Sequence, residues 1–324
     1  MNFVTDTVKR ALIHIDRMPK VLEDLGIVTY PDRIRLRRGL YRQHVLFGQE
    51  GHDRVVDRLT QNCPLMVARI GSVELSCLKF YLENRRTTNK TYPAKVRDQM
   101  ANNAGFFPAN DTSLDAFAEQ FLEHLKQVDV MAVWFNKFEE VICNRHCSDP
   151  QLVDIRCIEP FWFTNPWSSG LSGKKVLVVH PFVESIRKQY QEKRQFLFVD
   201  PAVLPEFELK TVRAVQSIAG SKVDFTTWFD AYRHMCDEIA NIDFDVCIIG
   251  AGAYGLPLAS FAKKMGKQAV HMGGITQVLF GLKGKRWEQN YADTTARLFN
   301  EHWIRPLESE KPANNHLVEN GCYW

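Results

Sequence analysis

The chain has 324 residues, 45% hydrophobic and 24% charged, with a formal net charge of +3. That length suits one α/β domain with helical additions or two modest domains. So small a charge points to no nucleic-acid partner, and no apolar run approaches the roughly 18 residues of a membrane span.

The N-terminus lacks the apolar core of a signal peptide. Eight cysteines lie scattered, several inside apolar runs where a reduced thiol packs as a small hydrophobe. The expectation is a cytoplasmic, reduced protein. Cys143, His146, Cys147 and Cys157 match no common zinc spacing.

Residues 1–60 read as a polar N-terminal helical extension, and residues 61–324 as the main domain. Arg33, Arg35, Arg37, Arg38 and Arg42 form a basic cluster, read as a solvated face. Contact with an anionic ligand or an anionic membrane surface stays open there. Pro64–Ile70 reads as an inner strand that Gly71 turns into a helix, with Ser72 as N-cap and Glu74 in the first turn. A guanidinium at the end of a buried strand needs a partner. Strand C-termini of open parallel sheets are where ligands bind, so Arg69 and Glu74 are site candidates.

Residues 85–110 have loop composition around a short helix, with Asn102–Pro108 as its exit; a surface loop is the default reading and a cleft wall the alternative. A helix is predicted over Leu114–Val128 and a strand over Asp129–Phe135. Phe161, Trp162, Phe163 and Trp167 suit core or a sugar-stacking platform, with core the commoner use. Glu159, read at a strand end, is a carboxylate for hydroxyl recognition or base work. Val176–Val179 is a parallel strand ending at His180, and the following helix N-terminus is a ready anion site. Leu209–Ile218 alternates like an edge strand, and Phe225–Asn241 is an amphipathic helix capped by Thr226 or Thr227.

The organising stretch is Val246–Ile249, a short apolar run that fits a sheet covered on both faces. It ends in Gly250, Gly252 and Gly255, spaced G-x-G-x-x-G, with Pro257 in the first helical turn and Gly266 as the stop. Such a turn brings backbone N–H groups against a diphosphate. A nicotinamide site also needs an acidic residue at the end of the next strand, where His271, Met272 and Gly273 stand. A second glycine pair, Gly273 and Gly274, precedes the basic loop of Lys283, Lys285 and Arg286. A last helix is predicted over Thr294–Trp303.

The stretches ARIGSVEL (68–75), VLVVHPFVESIRKQY (176–190), ELKTVRAVQSIAG (208–220), IIGAGAYGLPLASFAKKMGK (248–267) and HMGGITQVLFGLKGKRW (271–287), with the ending GCYW, resemble the bacterial GT-D-type glycosyltransferases. The resemblance implies a Rossmann-like α/β domain with a mostly parallel sheet flanked by helices. It implies sugar transfer from a nucleotide-diphosphate donor, UDP-glucose in the well-known case, to a glycan acceptor. The family's Asp-x-Glu motif reads Ser72-Val73-Glu74 here, so Glu74 carries over as a metal or donor residue and the leading Asp does not. Dependence on Mn or Mg is therefore in question, since hard cations take oxygen ligands.

On that resemblance Arg69, Ser72, Gly250, Gly252, Ala253 and Tyr254 are expected at the donor, with Gly273, Gly274 and Gln277 at its floor. Lys283, Lys285 and Arg286 are expected to face the diphosphate. The base that an inverting transfer needs is sought among Glu74, Glu159, His180 and Glu184. A nicotinamide or flavin oxidoreductase and a non-catalytic nucleotide-sugar binder are the rival readings. Oligomeric state stays open.

Overall fold

A computed structural model describes residues 30–290, 294–312, 314, 315, 318 and 321–324. Residues 1–29 of the expected N-terminal extension lie outside the described residues. From residue 30 the elements are α1 (Tyr30–Arg37), β1 (Val45–Leu46), α2 (Gly48–Thr60), β2 (Leu65–Ala68), α3 (Ser72–Asn84), α4 (Ala94–Asn102) and α5 (Asp111–Leu125). Then come β3 (Val130–Val133), α6 (Glu139–His146), β4 (Gln151–Asp154), β5 (Lys175–His180), α7 (Val183–Leu197), β6 (Glu208–Arg213) and α8 (Trp228–Ala240). The central unit supplies β7 (Val246–Ile249), α9 (Gly255–Lys264), β8 (Gln268–His271) and the single turn α10 (Thr276–Leu279).

The eight strands form one sheet in the order β1-β4-β3-β2-β8-β7-β5-β6, and every neighbouring pair is parallel. This is an α/β, Rossmann-like architecture. Alternate residues of the inner strands feed two apolar layers, as a period of two requires. Met66, Cys247 and Ile249 face the layer of α3, α5, α8 and α9, where Leu78, Phe117, Trp228 and Leu258 are buried. Leu65, Val67, Val246 and Ile248 face the layer of α2 and α7, with Val55, Ile186, Trp167 and Trp303. Both faces being covered is why these strands read as unbroken apolar runs. By contrast β6 lies at the sheet edge and is half exposed, as its alternation predicted. Val45–Leu46 pairs with β4, so the sheet begins inside the stretch assigned to the extension.

Several local expectations shift. Thr227 caps α8 through a reciprocal box with Asp230, whereas Ser72 is the first residue of α3 and Gly71, without a capping side chain, precedes it. Glu159 follows a 3-10 turn, Ile155–Ile158, and so stands beyond the strand end at Asp154. The helix expected over Thr294–Trp303 reduces to one 3-10 turn, Thr295–Leu298. Phe299 is extended, and the Asn300 side chain accepts from His302 N at 2.9 Å, which offers the backbone an alternative to helix. Among the described residues no helix is long and apolar enough to cross a membrane.

Candidate functional site

Because all eight strands are parallel, their C-terminal ends share one edge, and the site lies there. From β5 the chain runs outward to β6, while from the adjacent β7 it runs inward to β8. Divergence of neighbouring connections opens a crevice, the usual ligand position in such sheets. Two connected cavities occupy this edge. A cleft of about 550 Å³ lies over β2, β3, β4 and β8, and a chamber of about 80 Å³ lies over β5 and β7. Arg69, Asn103, Ala104, Gly252, Gly274 and Tyr323 line both and form the neck between them.

Four guanidinium groups line the cleft: Arg33, Arg69, Arg156 and Arg286. Glu74 and Glu159 are its carboxylates. Arg69 stacks 5.8 Å from the Trp134 ring and, among the described residues, makes no ion pair. A guanidinium is not left unpaired in a cavity without cost, so Arg69 is poised for an anion. It reaches its position across Gly273, at φ +70°, where a Cβ would stand 2.0 Å from Arg69 Nη2. Gly274 makes room in the same way for Tyr323, whose ring lies 4.5 Å from Arg286 and whose hydroxyl accepts from Arg286 Nη1 at 2.9 Å. The second glycine pair is therefore a seat for an arginine and a tyrosine.

Glu159 accepts from Trp162 Nε1 at 2.6 Å, and burial pushes its carboxyl up to about 7. That value is well placed for a general base. Glu74 is buried with its carboxylate folded over Gly71, on the cleft side of α3. Among the described residues no three His, Cys, Asp or Glu gather to hold a metal ion. A divalent cation there would be held by one of the two cleft carboxylates, Glu74 first by the family motif, together with oxygens of the ligand itself, and the described residues build no cation cage.

Of the glycine turn after β7, Gly250, Gly252 and Tyr254 line the chamber and Ala253 does not. The Ala253 amide donates to Ala104 O at 3.2 Å, and Ala253 is buried outside both cavities. Gly250 N is taken by Val179 O and Tyr254 N by Ala251 O. The loop leaving α4 thus covers the turn, and its Asn103, Ala104 and Gly105 line the chamber. Gly250 is confined by Gly273 O and His180 Cδ2, each 2.7 Å from where a Cβ would stand. The helix N-terminus after β5 is also filled. Glu310 accepts from Glu184 N at 2.8 Å and Ser185 N at 3.1 Å, and also accepts from the Ser185 hydroxyl.

Other candidates separate. Glu184 pairs with Arg187 at 2.9 Å and Arg213 at 3.1 Å and lines neither cavity. Lys283 lies 5.9 Å from the Phe299 ring and Lys285 is exposed, so of the basic loop only Arg286 enters the cleft. Ser72 is exposed on the cleft rim. His180 lines the chamber; burial drops its imidazole to about 3, and Nδ1 accepts from Phe182 N at 3.0 Å. With that lone pair engaged, His180 is a donor through Nε2 and has no free basic nitrogen. Tyr254 and Gln277 line the chamber, buried, with Tyr254 Oη and Gln277 Oε1 unpartnered. Each unpaired buried polar atom costs about 1–3 kcal/mol.

Sequence reasoning missed Trp134, Arg156 and Tyr323 as lining residues, and it read Arg33 first as part of a solvated face, with an anionic ligand as the alternative. Trp134 directly follows β3 and Arg156 stands two residues beyond β4, so the strand-end rule would have found both. A nicotinamide site loses its ribose position: His271 is buried at the end of β8 and fills the space beside Gly255.

No family model matches the chain, and no curated protein matches it. Among solved structures it is similar to a selenomethionine-substituted domain of unknown function 1792, at 12% identity and a TM-score of 0.38, over 80% of this chain and 96% of that one. It is also similar to a structure of the same domain described as having a distinct glycosyltransferase fold, at 13% identity and a TM-score of 0.35, over 80% and 96%. A third, a new glycosyltransferase from Streptococcus sanguinis, shares 12% identity at a TM-score of 0.36, over 82% and 96%. Superpositions this loose leave the chemistry to be argued from the site.

Proposed function

We propose that this chain is a glycosyltransferase that takes a sugar from a nucleotide-diphosphate donor, UDP-linked by the sequence resemblance, to a glycan acceptor. Cytoplasmic polysaccharide or glycoconjugate assembly is the setting that resemblance suggests. The observation that carries the reading is the cleft at the strand C-termini, where four arginines surround a volume of about 550 Å³. A diphosphate leaving group needs its developing charge met by positioned cations, and that electrostatic contribution is usually the largest in such a reaction. Arg69 and Arg286 flank the neck and are assigned to the diphosphate.

The acceptor hydroxyl must lose a proton as its oxygen attacks the anomeric carbon. Glu159, with its carboxyl near 7 and its other contact fixed by Trp162, is assigned as the base. Glu74 is assigned to donor positioning and is the one residue of the family's acidic motif retained here. The half-buried rings of Trp134 and Trp162 on the cleft wall suit the apolar face of a sugar ring.

Calorimetric titration with UDP-glucose and related nucleotide sugars tests the reading, paired with an assay for donor hydrolysis or transfer. Binding in the micromolar range, lost when Arg69 is replaced by alanine, is the expected result. A protein that binds no nucleotide sugar at any concentration tried refutes it. Binding without turnover in any acceptor mixture supports the non-catalytic alternative instead.

A further inference from the structure

The four guanidinium groups exceed what one diphosphate requires, and they divide between two ends of the cleft. Arg69 lines the neck, and Arg286 is bonded to Tyr323, another neck residue. Arg33 and Arg156 line the cleft but not the chamber. Arg156 follows β4, which is two strand spacings, roughly 10 Å, from the β2 that carries Arg69. It belongs to the 3-10 turn Ile155–Ile158, and Glu159 N donates to Arg156 O at 2.9 Å. Side chains three residues apart eclipse in such a turn, and both of these line the cleft, so a guanidinium stands beside the assigned base. Its charge is not cancelled by the fold. Arg156 is exposed and, among the described residues, its guanidinium makes no ion pair or hydrogen bond. Asp154 is buried, with Oδ2 accepting from Tyr30 Oη at 2.6 Å and Oδ1 from Arg156 N at 3.0 Å. Burial raises the carboxyls of Asp154 and Glu159 toward their neutral forms. The second cation comes from α1, where Arg33 lies 5.3 Å from the Tyr30 ring and its Nη1 donates to Asn136 Oδ1 at 3.2 Å.

We propose that the β4 end of the cleft is an acceptor subsite for an acidic sugar, whose carboxylate or phosphate is held by Arg156 and Arg33 while its hydroxyl faces Glu159. The proposal rests on the transfer reading given above and adds the class of acceptor. With the diphosphate at the neck and the base on the β4 side, the acceptor enters from the end that Arg156 and Arg33 line. Its oxygen bonds to the anomeric carbon as the bond to the diphosphate breaks. The electron pair of that bond leaves with the diphosphate, and the hydroxyl proton goes to Glu159. A guanidinium fork takes a carboxylate or phosphate through two parallel hydrogen bonds, which fixes the ring that carries it and so aims the hydroxyl. A neutral ring covering Arg156 would strip water from the charge and return nothing. Arg156 is on this account the residue that determines acceptor choice.

Sugar titrations with and without UDP, followed by NMR, test the proposal. They compare glucose and galactose with glucuronate, galacturonate, the two sugar 6-phosphates and inorganic phosphate. An acidic sugar should bind roughly tenfold or more tighter than its neutral parent, and the uronate and phosphate arms identify which acid fits. That margin should vanish in Arg156→Ala and shrink in Arg156→Lys, which keeps the charge without the fork. UDP affinity should stay within about twofold in both variants, because water and salt screen a charge this far from the neck. Acidic and neutral sugars binding alike overturns the proposal, as does inorganic phosphate binding as tightly as the best acidic sugar. So does a loss of UDP affinity in Arg156→Ala equal to that in Arg69→Ala, which would give Arg156 to the donor and leave the transfer reading standing. If UDP does not bind the unmodified protein, the transfer reading falls and takes the acceptor role with it.

Discussion

Arg69 leaves β2 with a guanidinium that no carboxylate of the described residues answers. Removing it costs the fold little, because no ion pair or hydrogen bond goes with it. Arg69→Ala should change unfolding free energy by less than about 1 kcal/mol. A charge-assisted hydrogen bond to phosphate contributes about 1.5–3 kcal/mol, so nucleotide-diphosphate affinity should fall by roughly 10- to 100-fold. Unchanged affinity by calorimetry would remove Arg69 from the site. Glu159 makes a second residue-scale prediction. If it takes the acceptor proton, turnover should rise with pH through about 7, as its carboxyl ionises. The Trp162 indole N–H favours the ionised form, so Trp162→Phe should move that rising limb to higher pH. A pH–rate profile that stays put, or is absent, would pass the base role to another group.

At the scale of elements, the loop from β3 to α6 is held by one buried carboxylate. Glu139 Oε2 accepts from Trp134 N at 2.9 Å, Asn136 N at 3.1 Å and Tyr41 Oη at 3.1 Å. This anchor presents Trp134 to the cleft beneath Arg69. Burial lifts the Glu139 carboxyl from 4.5 to about 7, so the folded state holds its proton where the unfolded chain has lost it. Stability from this group is complete below the ordinary carboxylate value and is lost as pH rises through about 7, an effect of ~3 kcal/mol. Glu139→Gln keeps an acceptor oxygen and should flatten that dependence in urea unfolding measured from pH 4.5 to 8. An unchanged slope would place the effect elsewhere. The elements also show what a sequence discloses. β2, β5, β7 and the Thr227 cap were legible because each expresses a local rule, an apolar run or a capping box. The cover over the glycine turn was not, because Ala104 meets Ala253 only through the tertiary fold. The same is true of Glu310 at the start of α7, which is 126 residues from Glu184.

On the scale of the whole molecule, the chain closes on itself around the site. Residues beyond 300 supply Glu310 to α7, Tyr323 to Arg286 and Trp324 to the chamber wall. Parallel order and strand-end placement were foreseeable from alternating strand and helix signals. Which cations of the basic loop face inward was not, since Lys283, Lys285 and Arg286 are alike in sequence terms and only packing separates them. Glu310→Ala should destabilise the protein by about 1–3 kcal/mol, the cost of stranding buried amides. Because the vacated helix start then accepts an anion, sulfate should raise the melting temperature of the variant more than that of the parent. An equal response in both would mean that α7 has no need of its internal carboxylate.

The cleft gathers its arginines on one side of the neck and leaves the chamber uncharged beyond it. Ionic strength should therefore act on two properties unequally. Added salt screens the attraction between guanidinium and phosphate over a Debye length of about 10 Å at 0.1 M, and overall nucleotide affinity should decline with it. Contacts made in the uncharged chamber are not screened in this way, so any preference among nucleotides that arises there should hold from dilute buffer to half-molar salt. Tightness and choosiness would then be set by separate walls of one crevice, each open to change without the other.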